Sequence, residues 1–359
     1  MNKFKLFSSA LLMFSMAGVV NAQFDNLNPS DLDQYHGRTL IVIVEKANDK
    51  VTEKLNKKHK SDKVDAYSKA IDVFNKNFSD AISQYWKVTE GEIQYKTIDE
   101  VNDIPDKKNY ALLFCRSASQ ADLANSYSAS NGIWWWPDFK EVTHDKDFSD
   151  KMTVMCMCLL EKFNKTPFYQ FPIPDLYPTK SDLLYAVNAA NSYVNYRVNH
   201  RKDSQKKMDI AMIQENQGTL KDKTLLLRRD WLDKKLTKTE LDKDYPFPYM
   251  VAGPDTVERL IDSADTKYAV AIVAPYDLAA AANGGIQYVQ YAYNIEDGAI
   301  CGASGVPDMP TDPKAGAATS ASASKPLITK RTLLDFSMYN RDGDDSGDKG
   351  GGKKKGGRK

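Results

Sequence analysis

Hydrophobic positions along the chain fall into two kinds of run. Thr39-Leu-Ile-Val-Ile-Val44, Tyr110-Ala-Leu-Leu-Phe114, Thr224-Leu-Leu-Leu227 and Tyr268-Ala-Val-Ala-Ile272 are short and apolar, with almost no polar alternation. This is the pattern of strands covered on both faces, as in a parallel sheet flanked by helices. Elsewhere the spacing is helical. Val64, Tyr67, Ile71, Phe74, Phe78 and Ile82 recur every three or four residues and predict one long helix within residues 49–86. Leu183, Leu184, Val187, Ala190, Val194 and Val198 predict a second, capped by Thr179 or Ser181. Between them, residues 166–178 carry repeated Pro, which biases each preceding residue to extended backbone, so 166–180 reads as a linker.

The runs come in pairs. Ile93-Gln-Tyr-Lys-Thr-Ile-Asp-Glu-Val101 precedes Tyr110, and Val251-Ala-Gly-Pro-Asp-Thr-Val-Glu-Arg259 precedes Tyr268. Matching Ile93 with Val251 and Tyr110 with Tyr268 gives one offset, 251 − 93 = 268 − 110 = 158. Pro254-Asp255 also reads as a helix start. The fold class expected is therefore α/β: two related β-α-β-α-β halves with partly parallel sheets, joined by a long helix. The first domain spans 23–165 and carries a long helical insertion in its first crossover. The bridging helix and second domain span 181–301. Residues 302–325 are rich in Gly, Ala, Ser and Pro and read as a linker, followed by a closing segment at 326–339.

Both ends carry signals of their own. Lys3 and Lys5 precede an apolar stretch at 6–20, and Val20-Asn21-Ala22 fits a small-residue cleavage site. The apolar stretch falls short of the roughly 20 residues needed to cross a bilayer. Residues 1–22 thus read as a secretory signal, and the chain is expected to be exported, as to a periplasm. Residues 340–359 hold no apolar side chain beyond glycine, so the sequence predicts a disordered tail. Its basic end, Lys349, Lys353, Lys354, Lys355, Arg358 and Lys359, suits contact with anionic lipid or lipopolysaccharide. Asp342 to Asp348 open like a calcium loop, but position 12 is Lys353 where a Glu is required.

Composition narrows the chemistry. With 49 Lys+Arg against 48 Asp+Glu, net charge +1 gives no field to draw the whole molecule onto nucleic acid. The histidines, His36, His59, His144 and His200, are too scattered for a helical zinc pair. His144 beside Asp145 is the best acid–base candidate, yet no nucleophile accompanies it. Cys156 and Cys158 share one face of an apolar run and read as buried small hydrophobes, able to pair with Cys115 or Cys301 in an oxidising compartment. Cys301-Gly-Ala-Ser-Gly305 resembles a flexible nucleophile loop with no histidine beside it. No phosphate-loop, dinucleotide, zinc-protease or nucleophile-elbow string occurs. No catalytic residue, cofactor or metal is therefore assigned. Tyr288, Tyr291 and Tyr293 read as part of a cross-strand aromatic row.

Asn131-Gly132 is a tight-turn signal followed by Trp134, Trp135 and Trp136. Aromatic faces of this kind suit sugar rings or a partner protein. The function expected is a non-enzymatic scaffold or binding subunit of a cell-envelope complex. The alternatives are a glycan-binding or glycan-processing protein that uses Trp134, Trp135 and Trp136, and a periplasmic solute-binding protein.

Overall fold

The four apolar runs form the centres of two sheets in a computed structural model that describes residues 24–25, 29–119, 151–165, 167–201, 203, 205–276, 287–305 and 326–340. The first sheet contains β1 (Phe24–Asp25), β2 (Thr39–Val44), β3 (Ile93–Thr97), β4 (Tyr110–Ser119), β5 (Lys151–Leu159) and β6 (Tyr169–Ile173), in the order β1-β6-β5-β4-β2-β3. The second contains β7 (Thr224–Arg228), β8 (Tyr249–Ala252), β9 (Tyr268–Tyr276), β10 (Gln287–Asn294) and β11 (Ile300–Ser304), in the order β11-β10-β9-β7-β8. In both, the opening strand is parallel to the next two and lies between them. Two further strands then add antiparallel. Each half is thus one β-α-β-α-β unit extended by two strands, with spatial order 2-1-3-4-5, and β1 is an extra two-residue edge on the first.

Strand register relates the two halves residue by residue. Thr39 pairs with Tyr110 as Thr224 pairs with Tyr268, so these tyrosines hold equivalent places. The neighbouring ladder corrects the expected alignment. Leu40 pairs with Ile93 while Leu225 pairs with Tyr249, so Ile93 matches Tyr249 rather than Val251, and 249 − 93 = 156. The caps of the following helices agree, with Thr97 matching Gly253 and 253 − 97 = 156. A shift of two residues leaves every side chain on the same face of its strand, so the hydrophobic pattern cannot detect it; the hydrogen-bond ladder does.

Ten α-helices occur among the described residues: α1 (Pro29–His36), α2 (Asp49–Lys57), α3 (Ser61–Tyr85), α4 (Ile98–Asn102), α5 (Lys180–Asn199), α6 (Gln205–Glu215), α7 (Thr219–Asp222), α8 (Lys238–Asp244), α9 (Pro254–Asp262) and α10 (Lys330–Met338). The long helix expected in the first crossover from the Val64–Ile82 spacing is α3, and a shorter helix, α2, precedes it. The chain reverses between them at His59, whose φ of 54° is left-handed and cannot continue a helix. The bridging helix is α5, capped by Thr179 as anticipated. Within residues 166–180, expected as a linker, Tyr169–Ile173 form β6, hydrogen-bonded to β5 inside the first sheet, and Lys180 already opens α5. Residues 302–304 likewise continue β11 rather than opening a linker. Asn340, expected to begin the tail, is fully buried. Its carboxamide oxygen accepts from Gly218 N and Leu220 N, both at 3.1 Å, and its nitrogen donates to Phe336 O at 2.8 Å.

The core follows from which sheet faces are covered. Leu40, Val42, Leu113, Cys115, Met155 and Met157 face inward and join α3, α5 and the whole second sheet in one apolar cluster. Ile41, Ile43, Leu112, Phe114, Cys156 and Cys158 face the other way, under Val101 of α4 and Phe163. Helix α5 packs against α3, β6 and α9, while α6 and α10 cover β11 on the far side of the second sheet. Tyr185 of α5 meets Tyr293 edge-on at 4.8 Å; Tyr291 and Tyr293 adjoin along β10, but their cross-strand partners Ile272 and Val270 are aliphatic, so the expected cross-strand aromatic row is a contact within one strand.

The turn between β10 and β11 is fitted to α5. Asn188 donates to Ile295 O at 2.9 Å, and Gly298, at φ 71°, lies so close that a Cβ would stand 2.8 Å from Ala189 N and overlap the Asn188 carbonyl. Gly298→Ala combines left-handed strain with a backbone clash and is expected to destabilise the protein by roughly 3 kcal/mol or more. Chemical denaturation checks this; wild-type stability in the variant would refute the close fit.

Candidate functional site

In open α/β sheets ligands bind outside the carboxyl ends of the strands, where successive crossovers diverge from the central strand. Here that point lies between the first and third strands of each half, β2/β4 and β7/β9. In the first half the end of β2 is tied shut. Asn75 of α3 accepts from Glu45 N at 2.8 Å and donates to Glu45 O at 2.9 Å, so its carboxamide imitates another strand residue. Tyr67 Oη accepts from Asn48 N at 3.1 Å.

The equivalent end in the second half is charged. β7 finishes at Arg228, whose guanidinium donates to both oxygens of Asp230, at 3.1 and 2.6 Å. It also donates to Asp175 Oδ2 at 3.2 Å, in the connection from β6 to α5, and stacks 3.9 Å above the Trp231 ring. Arg228 therefore joins the end of the first sheet to the start of the second. Hydrogen bonding to Arg228 pulls the Asp230 carboxyl below its ordinary range. Burial opposes the charge of Arg228, but Asp230 and Asp175 outweigh it and raise its pKa.

Asp182 lies behind this pair in the first turn of α5, only 4 % exposed. It completes a capping box: Oδ2 accepts from Thr179 N at 2.9 Å and from Thr179 Oγ1 at 3.0 Å, while Asp182 N donates back to Thr179 Oγ1 at 3.3 Å. Burial, and then the neighbouring Asp175 carboxylate, push its pKa up to about 7 against the pull of Thr179 and Arg228. Glu258 of α9 is raised by burial and by Asp255 and Asp175. Tyr288, at the start of β10, is raised by burial and by Asp175. Four carboxylates thus surround one guanidinium.

Comparison with protein-family models, with curated proteins and with solved structures finds no match. The chemistry of the chain therefore rests on its own residues. The Arg228 cluster holds Asp230 and Asp175 on one guanidinium in fixed hydrogen bonds, and its geometry is that of an ion pair joining the halves. No group of three His, Cys, Asp or Glu among the described residues is disposed to hold a metal.

The sequence candidates fall elsewhere. Trp134, Trp135, Trp136 and His144 lie outside the described residues, in the segment 120–150 that joins the carboxyl end of β4 to β5. The signal segment and Lys349, Lys353, Lys354, Lys355, Arg358 and Lys359 lie outside them too. His36 ends α1, where its Nδ1 meets Val88 O and its Nε2 lies 3.3 Å from Glu90. His200 caps α5 and stacks on Tyr196 at 4.0 Å. All four cysteines are buried and unbridged. Cys115 is on the opposite sheet face from Cys156 and Cys158, and Cys301 is in the other sheet, a rigid strand residue rather than part of a nucleophile loop. Burial raises the thiols, Cys156 to about 11 and Cys301 to about 12, so neither carries appreciable thiolate at neutral pH. Sequence reasoning passed over Arg228, Asp175 and Glu258. Their one advance signal is the charged Arg228-Arg-Asp-Trp231 string directly after an apolar strand.

A carboxyl raised on folding binds its proton more tightly in the folded state, so stability falls as pH rises from about 4 to about 7 and is level above that. Asp182→Asn keeps the acceptor for Thr179 and removes this titration. Its melting temperature is expected to fall less between pH 5 and 8 than that of the wild type. Parallel curves for the two proteins would show that Asp182 is charged throughout.

Proposed function

We propose that the chain is exported and acts, without chemistry of its own, as a binding or scaffolding subunit that holds an envelope protein at the carboxyl-end face of its two sheets. The observation that carries this reading is where the long strand connections attach. Segment 120–150 leaves β4 and segment 277–286 leaves β9 at the carboxyl ends of parallel strands, beside the switch points where α/β sheets receive ligands. Trp134, Trp135 and Trp136 belong to the first of these by sequence. The described strand ends between them carry an ion-pair lock rather than reacting groups, which favours recognition over catalysis. Export rests on the sequence of residues 1–22.

The three adjacent tryptophans also favour glycan binding as a second reading. Solute capture by hinge closure is less well supported, because α5 packs in one core with both sheets and leaves the halves little freedom to rotate.

Capture from envelope extracts separates the first two readings. The exported protein should lack residues 1–22 by intact mass. It should retain a discrete partner protein that Trp134→Ala/Trp136→Ala reduces about tenfold or more, the scale of losing one interface anchor. Loss of a bound oligosaccharide, with no protein partner, would establish the glycan reading instead. A full-length mass or unchanged capture would reject the proposal.

A further inference from the structure

The helical insertion of the first half has no counterpart in the second. Between β2 and β3 the chain runs through residues 45–92 and builds α2 and α3, whereas residues 229–248 make the same crossover between β7 and β8 with α8 alone. The second sheet therefore shows that the fold closes without α2.

Helix α2 sorts its side chains by type around its axis. Asn48 caps it, accepting from Lys50 N at 3.0 Å. Val51 and Leu55 are buried in the cluster shared with α3. Lys50, Lys54 and Lys57 in the helix and Lys58 just after it follow the spacing i, i+4, i+7, i+8, so they form one stripe, and all four are exposed. Glu53 borders that stripe, one turn before Lys57, and Asp49 lies beyond it. His59 is exposed at the left-handed reversal, and Lys60 and Lys63 follow at the start of α3. Residues 46–63 contain seven lysines (46, 50, 54, 57, 58, 60, 63) against three carboxylates (49, 53, 62), net +4 in a chain of net +1. Acidic neighbours temper part of this charge, among them Glu53, 3.7 Å from Lys57, and Asp99, 3.3 Å from Lys46.

We propose that the α2–α3 elbow is a contact surface for a bilayer rich in anionic lipid. Lysines are compact, hydrated point charges on flexible stems, without the planar fork that arginine offers to a single phosphate. Spread along a convex helix about 13 Å long, they match many phosphates on a plane better than one anion in a pocket. Insertion is not required, since no described helix is long and apolar enough to cross a membrane. The contact is independent of the partner-binding reading above, which concerns the carboxyl-end face.

Cosedimentation of the whole chain with phosphatidylcholine vesicles, with and without phosphatidylglycerol, tests this. Lys54→Glu/Lys57→Glu/Lys58→Glu should lower partition onto anionic vesicles at low salt about tenfold or more. Lys234→Glu/Lys235→Glu/Lys238→Glu changes net charge equally on exposed lysines of the second half and should alter it by less than about twofold. About 0.15 M salt should weaken wild-type binding towards that of the elbow variant. Triple substitution of the elbow lysines by Gln should give an intermediate loss, and unchanged melting temperatures would show that folding is intact. Deleting 349–359 measures the tail separately. Equal loss in both Glu variants, binding that depends on 349–359 alone, or tighter binding to duplex DNA than to vesicles would each overturn the proposal.

Discussion

Enclosure of the first half of α5 on every side is the constraint from which the rest of this fold follows. From Ser181 through Ala190 every residue is buried, so the first half of the helix has no solvent face, and exposure begins only near its end, at Asn195 and Asn199. A helix in that position can only be the shared core of the two sheets, which meet around it instead of folding as separate bodies. The apolar contribution comes at the cost of burying Asp182, Asn188 and Arg197, and each of these polar groups must find partners. Asp182 closes the cap with Thr179. Asn188 reaches the β10–β11 turn. Arg197 donates to the carbonyls of His200 and Asp203 where the chain leaves the helix. These bonds fix where the helix starts, how closely the second sheet approaches and where the chain turns away.

The Arg228 cluster is a consequence of the same enclosure. Because α5 starts directly after β6, its amino end comes to rest at the carboxyl end of β7. A helix amino terminus favours negative charge, and four acids collect there. Arg228 compensates them, and stacking on Trp231 holds its plane while Asp230 and Asp175 take its donors. Asp182 is then caught between two demands: the cap requires an acceptor, and burial disfavours an anion. Its elevated pKa expresses that conflict.

The two halves share one topology but not one set of accessories. The first half carries α2 and α3 in its opening crossover, and its strand end is closed by Asn75. The second half makes that crossover with α8 alone, takes its outer cover from α6 and α10, and keeps a charged strand end. Ser304 bonds Asp335 at 2.7 Å beneath α10, so the closing helix is held by a buried polar contact as well as by Leu333 and Phe336. Differences of this kind are where function enters a repeated scaffold, since the common strands are committed to the core.

The sequence by itself determined the local elements and their kinship. Apolar runs without alternation marked four central strands, three-and-four spacing marked α3 and α5, and the Tyr-Ala pairs at 110 and 268 marked the repeat. These depend on burial and backbone preference within a few residues, which a linear pattern records. The tertiary structure alone decided the rest. A two-residue offset between β3 and β8 is silent in a pattern of period two. The last two strands of each half, the absorption of 169–173 and 302–304 into sheets and the burial of Asn340 depend on hydrogen-bond partners distant in the chain. Asp175, Asp182, Arg228 and Glu258 lie up to 83 positions apart, from 175 to 258. They become one electrostatic unit only because α5 brings the end of one sheet to the beginning of the other.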